Sequence, residues 1–181
     1  MWPEEIEWTI LQFNRFIPKP AKTCIDIGSE SLEYRTKLQP WNQKFYDYLG
    51  SRNIKVYTMD LDKKNKPDYI QDISKPIKNI LKFDIILATH LLEHVPILKL
   101  EKVVKNIENL VKTNGFLLIT VPHTYPYHAR PIDNGWRPVP KELASIFKGK
   151  IIAKELVKAE HNSPKYKNKP MNEASCVLLK Y

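Results

Sequence analysis

Cysteine and glycine are scarce in this 181-residue chain, which contains two cysteines and five glycines. Two cysteines are too few for a disulfide-stabilised fold, and Cys24 and Cys176 each lie in an apolar, strand-like run. We therefore expect both to be buried free thiols in a reducing, cytoplasmic setting. A G-x-G-x-x-G fingerprint is also absent, which removes the main support for a nicotinamide-dependent enzyme.

Long apolar runs are missing as well. The longest, such as Ile85–Ala88 and Phe116–Thr120, are too short to span a bilayer, so we expect no membrane association. The first residues, MWPEEIEW, lack the basic region that opens a secretory signal. The apolar fraction of 43% is sufficient for one buried core. The length favours a single domain over residues 1–181, with a helix within residues 1–20 packing on the core.

Positive charge is in excess, with 29 basic and 20 acidic residues and a net charge of +9. Such a balance keeps nucleic acid open as a partner. Lysine supplies most of this charge and is scattered along the chain, as is typical of solvated faces, whereas phosphate recognition often uses arginine forks. Nucleic acid is therefore not the favoured partner.

Apolar patterning predicts strands that alternate with helices and close with two successive strands. Such alternation predicts an α/β fold, a three-layer Rossmann-like doubly wound sheet that is mostly parallel. Tyr34–Leu49 is predicted as two helical pieces broken at Pro40 and stopped at Gly50, and Asn114-Gly115 is predicted to stop the helix Lys99–Lys112. The other predicted helices are Pro3–Phe16 and Pro140–Phe147. The predicted strands are Thr23–Ile27, Ile54–Met59, Pro67–Ile70, Phe83–Ala88, Phe116–Val121, Lys150–Val157 and Ser175–Leu179.

Ligands of doubly wound sheets bind beyond the carboxyl ends of the strands, and the polar residues of interest follow predicted strands. Asp26-Ile27-Gly28-Ser29 follows the first strand, where a glycine permits both a turn and close backbone approach to a nucleotide-type cofactor. Asp60 ends the second strand, where a carboxylate can accept hydrogen bonds from ribose hydroxyls. The alternatives are a solvated turn aspartate at position 60, or Asp62 as the fallback candidate for this role. Asp72-Ile73 can hold an adenine, although without the other motifs Asp72 is better interpreted as a loop aspartate that caps a turn.

Two later segments carry further chemistry. His90, Glu93 and His94 form an H-x-x-E-H pattern directly after a buried strand, which can signal zinc. Two other interpretations are favoured here: a loop beside the substrate, or polar residues that tie that loop to the core. Residues 121–138 follow another strand as a long loop rich in histidine, aromatic and proline residues, a composition typical of a functional loop on the substrate side. Within it, Asp133 and Arg137 either contact a substrate or pair with each other.

Together these segments resemble the class I S-adenosylmethionine-dependent methyltransferases, and most closely the small type-11 branch. The matching pieces are CIDIGSESLEYR, VYTMDLD with PDYIQDI, FDIILATHLLEHVP and NGFLLITVPHTYPYHARPIDNGWRP, followed by a terminal strand pair. They occur in family order from Ala21 to the carboxyl terminus. The resemblance implies about seven strands with the last strand antiparallel, and S-adenosylmethionine as the methyl donor.

The resemblance also assigns roles by position. Asp26, Gly28 and Ser29 would hold the methionine end of the cofactor, Asp60 and Leu61 the ribose, Asp72 and Ile73 the adenine, and Thr89 and His90 would lie beside the sulfonium. Glu30 departs from the family, since it and Leu32 occupy positions where further glycines are usual. Its side chain either crowds the cofactor or binds the cofactor's ammonium group.

Methyl transfer needs proximity and in-line alignment, and a general base when the acceptor is a hydroxyl or an amine. His123 and His128 are the first candidates for the base and His94 the third. We expect Tyr125, Asp133, Trp136 and Arg137 to bind the acceptor, which would be a small molecule or a glycan, with no metal required. A non-catalytic binding module, a nucleic-acid or protein methyltransferase, and a homodimer stay open as alternatives.

Overall fold

The computed structural model describes residues 1–77, 80–128, 132–159 and 172–181. These residues form one seven-stranded sheet with the strand order β3-β2-β1-β4-β5-β7-β6. Strand β7 is antiparallel to both of its neighbours, and the other paired strands are parallel. The predicted sheet is therefore confirmed, including its antiparallel last strand. The strands are β1 Thr23–Ile27, β2 Lys55–Asp60, β3 Tyr69–Ile70, β4 Phe83–Thr89, β5 Val111–Thr124, β6 Lys150–Ala159 and β7 Asn172–Lys180.

In the described residues, four α-helices cover the two faces of the sheet: α1 Pro3–Phe16, α2 Pro40–Ser51, α3 Leu100–Leu110 and α4 Pro140–Ser145. Helices α1 and α2 pack with Cys24, Ile85 and Leu87 on one face. Helices α3 and α4 pack on the other face, where Ile86 and Ala88 contribute to the core. Successive β4 residues thus alternate between two cores, because side chains of a strand point to opposite faces. Burial on both faces explains the continuous apolar run of this central strand.

Helix α1 is joined to the rest of the molecule by specific contacts as well as by burial. Its Trp8 and Phe13 side chains are buried, and the Trp8 indole donates to the Glu155 carboxylate at 2.8 Å. Arg52, directly after α2, donates to the Phe13 and Ile17 carbonyl oxygens at 3.0 and 2.7 Å. The bond to Ile17 gives a partner to a carbonyl just past the end of α1, and the Phe13 carbonyl accepts from Arg52 as well as from the Ile17 amide.

Some predicted boundaries are wrong. Gly50 does not stop α2, which continues to Ser51, and the left-handed residue that follows is Asn53 with φ 57°. Helix α3 ends at Leu110, two residues earlier than predicted, although Asn114 does adopt the left-handed conformation with φ 62°. In the described residues the links from β2 to β4 contain only a short 3-10 turn, Lys63–Asn65, so helices do not alternate with every strand.

Other local predictions are confirmed. Pro40 separates a π-helical turn, Tyr34–Leu38, from α2, and Cys24 and Cys176 are buried free thiols. Within the described ranges, no helix combines the length and the apolar character needed to cross a membrane.

Candidate active site

A cavity of about 610 Å³ opens at the carboxyl edge of the sheet, beyond the ends of β1, β2 and β4. This is where ligands bind in doubly wound sheets. All ten residues predicted to bind a cofactor line it, although they come from four separate chain segments. They are Asp26, Gly28, Ser29, Glu30, Asp60, Leu61, Asp72, Ile73, Thr89 and His90.

The turn after β1 forms the floor of the cavity. Gly28 has φ 76°, a conformation that glycine adopts without strain. The Gly28 and Ser29 amides donate to the Met59 carbonyl at 2.8 and 3.3 Å, which holds the turn against β2. A Cβ atom at position 28 would lie 3.0 Å from Leu91 Cδ1, so the turn is closely packed. The Ser29 Oγ is buried and has no hydrogen-bond partner among the described residues, which leaves it available to a ligand.

Asp26 is a buried carboxyl group at the end of β1. Burial raises its pKa to about 6, while the hydrogen bond from the Tyr46 hydroxyl and the charge of Arg35 oppose this rise. Arg35 lies over the Tyr46 ring, with 4.7 Å between the guanidinium carbon and the ring centroid. Asp26 therefore ionises more readily when a cation lies beside it.

Glu30 and Asp60 face the cavity together. The Glu30 amide donates to one Asp60 oxygen at 3.1 Å, and the Asp62 amide donates to the other at 2.8 Å. Each carboxylate oxygen keeps a further lone pair for a ligand hydroxyl. Glu30 adopts a left-handed φ of 58°, and Arg35 supports this unusual conformation by donating to the Ser29 and Glu30 carbonyls at 2.9 and 3.1 Å.

Asp72 and Ile73 form another part of the wall. One Asp72 oxygen accepts from the Ser74 amide at 2.9 Å and from the Ser74 hydroxyl at 2.7 Å, so Asp72 does cap a turn. These hydrogen bonds lower the pKa of Asp72, with smaller contributions from nearby lysines. The Asn106 side-chain Nδ2 donates to the Ile73 and Lys75 carbonyls at 2.7 and 2.8 Å, which fixes this loop to α3.

His90 follows β4 in a left-handed conformation, φ 49°, with its amide donating to the Thr120 carbonyl at 2.9 Å. Its Nε2 lies 3.0 and 2.9 Å from the two Glu5 oxygens. Glu5 is fully buried and also accepts from the Trp2 amide at 2.6 Å. The first turn of α1 is thereby fixed to the cavity, and Met1 and Trp2 contribute to its wall.

Five aromatic rings follow one another along the side of the cavity nearest α1. Trp2 contacts the His90 ring at 5.1 Å and the Tyr125 ring at 5.8 Å, centroid to centroid. Tyr125 contacts His128 at 5.9 Å, and His128 contacts His94 at 5.4 Å. All five side chains line the cavity, and we call this set the aromatic wall.

The histidines of the aromatic wall differ in their hydrogen bonds. His94 Nδ1 lies 2.7 Å from the Ile132 carbonyl, so Nδ1 carries the donated proton and Nε2 is the basic nitrogen of the neutral ring. The Nε2 of His128 lies 3.7 Å from an Asp133 oxygen. His94 therefore presents Nε2 as a proton acceptor, while the buried His128 Nδ1 has no hydrogen-bond partner among the described residues.

Four predicted residues do not line the cavity: the candidate base His123 and the acceptor residues Asp133, Trp136 and Arg137. His123 Nδ1 lies 3.0 and 3.2 Å from the Arg137 and Pro138 carbonyls, which ties the ring to the backbone. Asp133 is buried and each of its carboxylate oxygens accepts a hydrogen bond from Arg137. The pairing of these two residues, one of the two predicted alternatives, is therefore present. The Arg137 hydrogen bonds lower the pKa of Asp133 to about 2. Trp136 packs against the core on the α3 side.

Glu5, Trp2, Arg35 and Tyr46 are among the residues of the site that were not predicted from the sequence. An acidic residue in the first turn of a helix is common because the helix dipole favours it, so Glu5 gave no separate signal. Arg35 lies on the π-helical turn and Tyr46 on α2. Which sides of these two segments face each other depends on the angle of the chain at the Pro40 break. In the described part of the chain, no three His, Cys, Asp or Glu side chains form a metal-binding group, so the H-x-x-E-H pattern gains no third ligand there.

The sheet order and the cavity at its carboxyl edge are those of the class I S-adenosylmethionine-dependent methyltransferases. A methyltransferase-domain profile matches residues 9–160. The chain belongs to this methyltransferase domain family. The predicted family and enzyme class are confirmed, with S-adenosylmethionine as the methyl donor of the class, while the narrower type-11 resemblance stays a prediction. No curated protein matches the chain.

Solved structures with this fold include TehB from Haemophilus influenzae, which is 14% identical with a TM-score of 0.66. The match covers 96% of this chain, which spans 61% of the length of TehB. Coclaurine N-methyltransferase bound to N-methylheliamine and SAH is 15% identical, with a TM-score of 0.65 and 98% and 72% of the two chains covered. The 1,6-didemethyltoxoflavin-N1-methyltransferase of Burkholderia thailandensis is 14% identical, with a TM-score of 0.63 and 97% and 77% covered.

The residues present are suited to this cofactor. The Gly28 turn allows close approach of a ligand, the Ser29 hydroxyl is unpartnered among the described residues, and the Asp60 oxygens have spare lone pairs at the end of β2. Asp26 supplies a carboxyl group for a cationic amine, and Glu30 adds a second acidic group to the cavity wall. The cavity thus has oxygen atoms that can accept hydrogen bonds from ribose hydroxyls, and negative charge that can pair with an ammonium group.

Proposed function

We propose that this protein transfers the methyl group of S-adenosylmethionine to a hydroxyl or amine of a small-molecule acceptor, with sugars included in this class. The observation that carries the proposal is the convergence of the ten predicted cofactor residues on one cavity. The neighbours coclaurine N-methyltransferase and the toxoflavin enzyme, whose names give small-molecule acceptors, support a small molecule over a polymer.

The roles of the cofactor residues follow from their positions. Asp60 would accept from the ribose hydroxyls, Asp26 and Ser29 would hold the methionine end, and Ile73 would pack on the adenine beside Asp72. When bound, S-adenosylmethionine supplies an activated methyl group whose carbon–sulfur bond breaks as the bond to the acceptor oxygen or nitrogen forms.

The acceptor would lie against the aromatic wall. Flat rings such as Trp2 and Tyr125 exclude water and hold an organic acceptor in line with the methyl group. The Nε2 of His94 would accept the acceptor's proton, with His128 as the second candidate. His123 is the weakest of the three predicted bases, because its ring is bonded to backbone carbonyls outside the cavity lining.

Calorimetric titration of the full chain with S-adenosylmethionine and S-adenosylhomocysteine tests the cofactor site. We expect the wild type to bind both, and Asp60→Ala to weaken binding by roughly tenfold or more, the effect of losing hydrogen bonds to a charged group. Asp62→Ala is the matched control, because Asp62 caps the adjacent turn by accepting from the Lys64 amide and does not line the cavity. A wild type that binds neither compound would make the chain a non-catalytic module and overturn the proposal.

The acceptor class is tested by incubating the protein with S-adenosylmethionine carrying an isotope-labelled methyl group. A panel of aromatic amines, aliphatic amines, phenols and sugars serves as acceptors, with a short RNA and a basic peptide for comparison. Mass spectrometry then detects the transferred label. Labelling of RNA or peptide alone would contradict a small-molecule acceptor. A cytoplasmic location and a homodimer stay predictions from the sequence.

A further inference from the structure

Glu30 lies at a position where a side chain is conformationally costly. Its φ of 58° is in the left-handed region, which favours glycine and is strained for other residues. The turn is nevertheless held by specific bonds, from the Glu30 amide to Asp60 and from Arg35 to the Glu30 carbonyl. This chain therefore keeps a carboxylate, at a conformational cost, in the wall of the candidate cofactor cavity.

The surroundings of Glu30 leave its charge available to a ligand. Among the described residues, no lysine or arginine forms an ion pair with the Glu30 carboxylate. Arg35, the nearest guanidinium on the loop, donates to backbone carbonyls instead. Desolvation and the charges of Asp60 and Asp62 raise the pKa of Glu30, opposed by His94. A cation in the cavity would relieve this crowding of negative charge.

The two forms of the cofactor differ in one charge. S-adenosylmethionine carries a sulfonium, an ammonium and a carboxylate, a net charge of +1, whereas S-adenosylhomocysteine lacks the sulfonium charge and is neutral overall. Hydrogen bonds to the ribose, the adenine and the methionine end are the same for both. Only a charged group near the cavity can therefore give the two compounds different affinities through electrostatics.

We infer that Glu30 is a specificity-determining residue that makes the site prefer the cationic methyl donor over its neutral product. This inference rests on the proposed function. The extra carboxylate would help S-adenosylmethionine to displace S-adenosylhomocysteine after transfer, and so lessen product inhibition. Interaction with one charge across a partly solvated cavity corresponds to a preference of roughly three- to tenfold.

The test is calorimetric titration of wild type and Glu30→Gln with each compound at pH 7.5 and low salt. Glu30→Gln should weaken the binding of S-adenosylmethionine by roughly three- to tenfold and leave S-adenosylhomocysteine nearly unchanged. Glu33→Gln is the matched control: it removes the same charge three residues away, where Glu33 is exposed and pairs with Lys37. Its two affinities should match the wild type.

A second variant separates charge from shape. Glu30→Gly removes the carboxylate and also relieves the left-handed backbone, so it should lose the preference while folding at least as stably as wild type. An equal loss of affinity for both compounds in Glu30→Gln, or an unchanged ratio in either variant, would overturn the inference and leave the proposed function intact. Absence of binding to the wild type would instead overturn the proposed function.

Discussion

The Glu5 carboxylate lies 2.9 and 3.0 Å from Nε2 of His90, a residue 85 positions away in the chain. Glu5 belongs to the first turn of α1, and His90 to the turn that follows β4. This buried contact places the amino-terminal helix against the edge of the sheet where the candidate cofactor cavity opens. It is the contact that makes Trp2 part of the aromatic wall.

Replacement of Glu5 should destabilise the fold in a pH-dependent manner. Burial alone would raise the Glu5 pKa, but the charge and hydrogen bond of His90 outweigh burial and lower the pKa to about 2. An acid with a lowered folded-state pKa contributes stability above its unfolded value of 4.5, and that stability is lost as the pH falls towards 2. Glu5→Ala should therefore cost about 3–5 kcal/mol at pH 7, and less as the solution is acidified.

Urea unfolding at several pH values measures this effect. Glu7→Ala is the control, because Glu7 is exposed on the same helix, and we expect a change within about 0.5 kcal/mol. Equal stability of the two variants at pH 7 would show that the Glu5–His90 contact contributes nothing to folding.

Cofactor affinity should rise with pH as Asp26 ionises. Burial raises the Asp26 pKa to about 6, so the carboxyl is neutral at lower pH and cannot pair with an ammonium group. Calorimetry between about pH 5 and 8 should show tighter binding of S-adenosylmethionine as the pH passes through this value. Asp26→Asn should remove this dependence, whereas Tyr46→Phe should move the midpoint upward, because the Tyr46 hydrogen bond lowers the pKa. A midpoint unmoved in Tyr46→Phe would contradict the assignment to Asp26.

Two glycine-to-alanine substitutions should have opposite effects on stability. Gly28→Ala places a Cβ on a residue with φ 76°, 3.0 Å from Leu91 Cδ1, and should destabilise by about 1–2 kcal/mol and weaken cofactor binding. Gly50→Ala lies within α2 with no atom within 4 Å of the added Cβ, and should stabilise by up to about 1 kcal/mol. Thermal unfolding compares them directly. A stabilising Gly28→Ala would show that the turn is not held as described.

The three candidate histidines should separate by kinetics once the labelled-methyl assay identifies an acceptor. If His94 is the base, His94→Ala should lower kcat by roughly a hundredfold or more while cofactor affinity stays near wild type. His128→Ala should have a smaller effect. For His123→Ala we expect mainly reduced stability, because the ring bonds to the Arg137 and Pro138 carbonyls. A loss of kcat confined to His123→Ala would reverse this ranking.

The strands and most of the residues at their carboxyl ends were predictable from the sequence, because hydrophobic patterning reports burial directly. The run Phe83–Ala88 predicts a strand covered on both faces, and polar residues placed after successive strands must meet at one edge of a parallel sheet. The positions of Asp26 and Asp60 therefore predicted a common site, and the family resemblance added Thr89 to it. Helix ends were less predictable, as Gly50 shows, because packing can carry a helix past a residue of low propensity.

Contacts between distant side chains were decided only by the tertiary structure. The alternatives for Asp133, a substrate contact or a pair with Arg137, had equal support in the sequence and differ only in which way two side chains point. The pairing of Glu5 with His90 likewise depends on how α1 crosses the sheet edge. The sequence by itself determined the sheet and the edge at which a ligand would bind, since local pattern specifies burial, and its motifs carried the family resemblance. The tertiary structure decided which histidines reach the cavity and which charges face it, since these depend on side chains brought together across the fold.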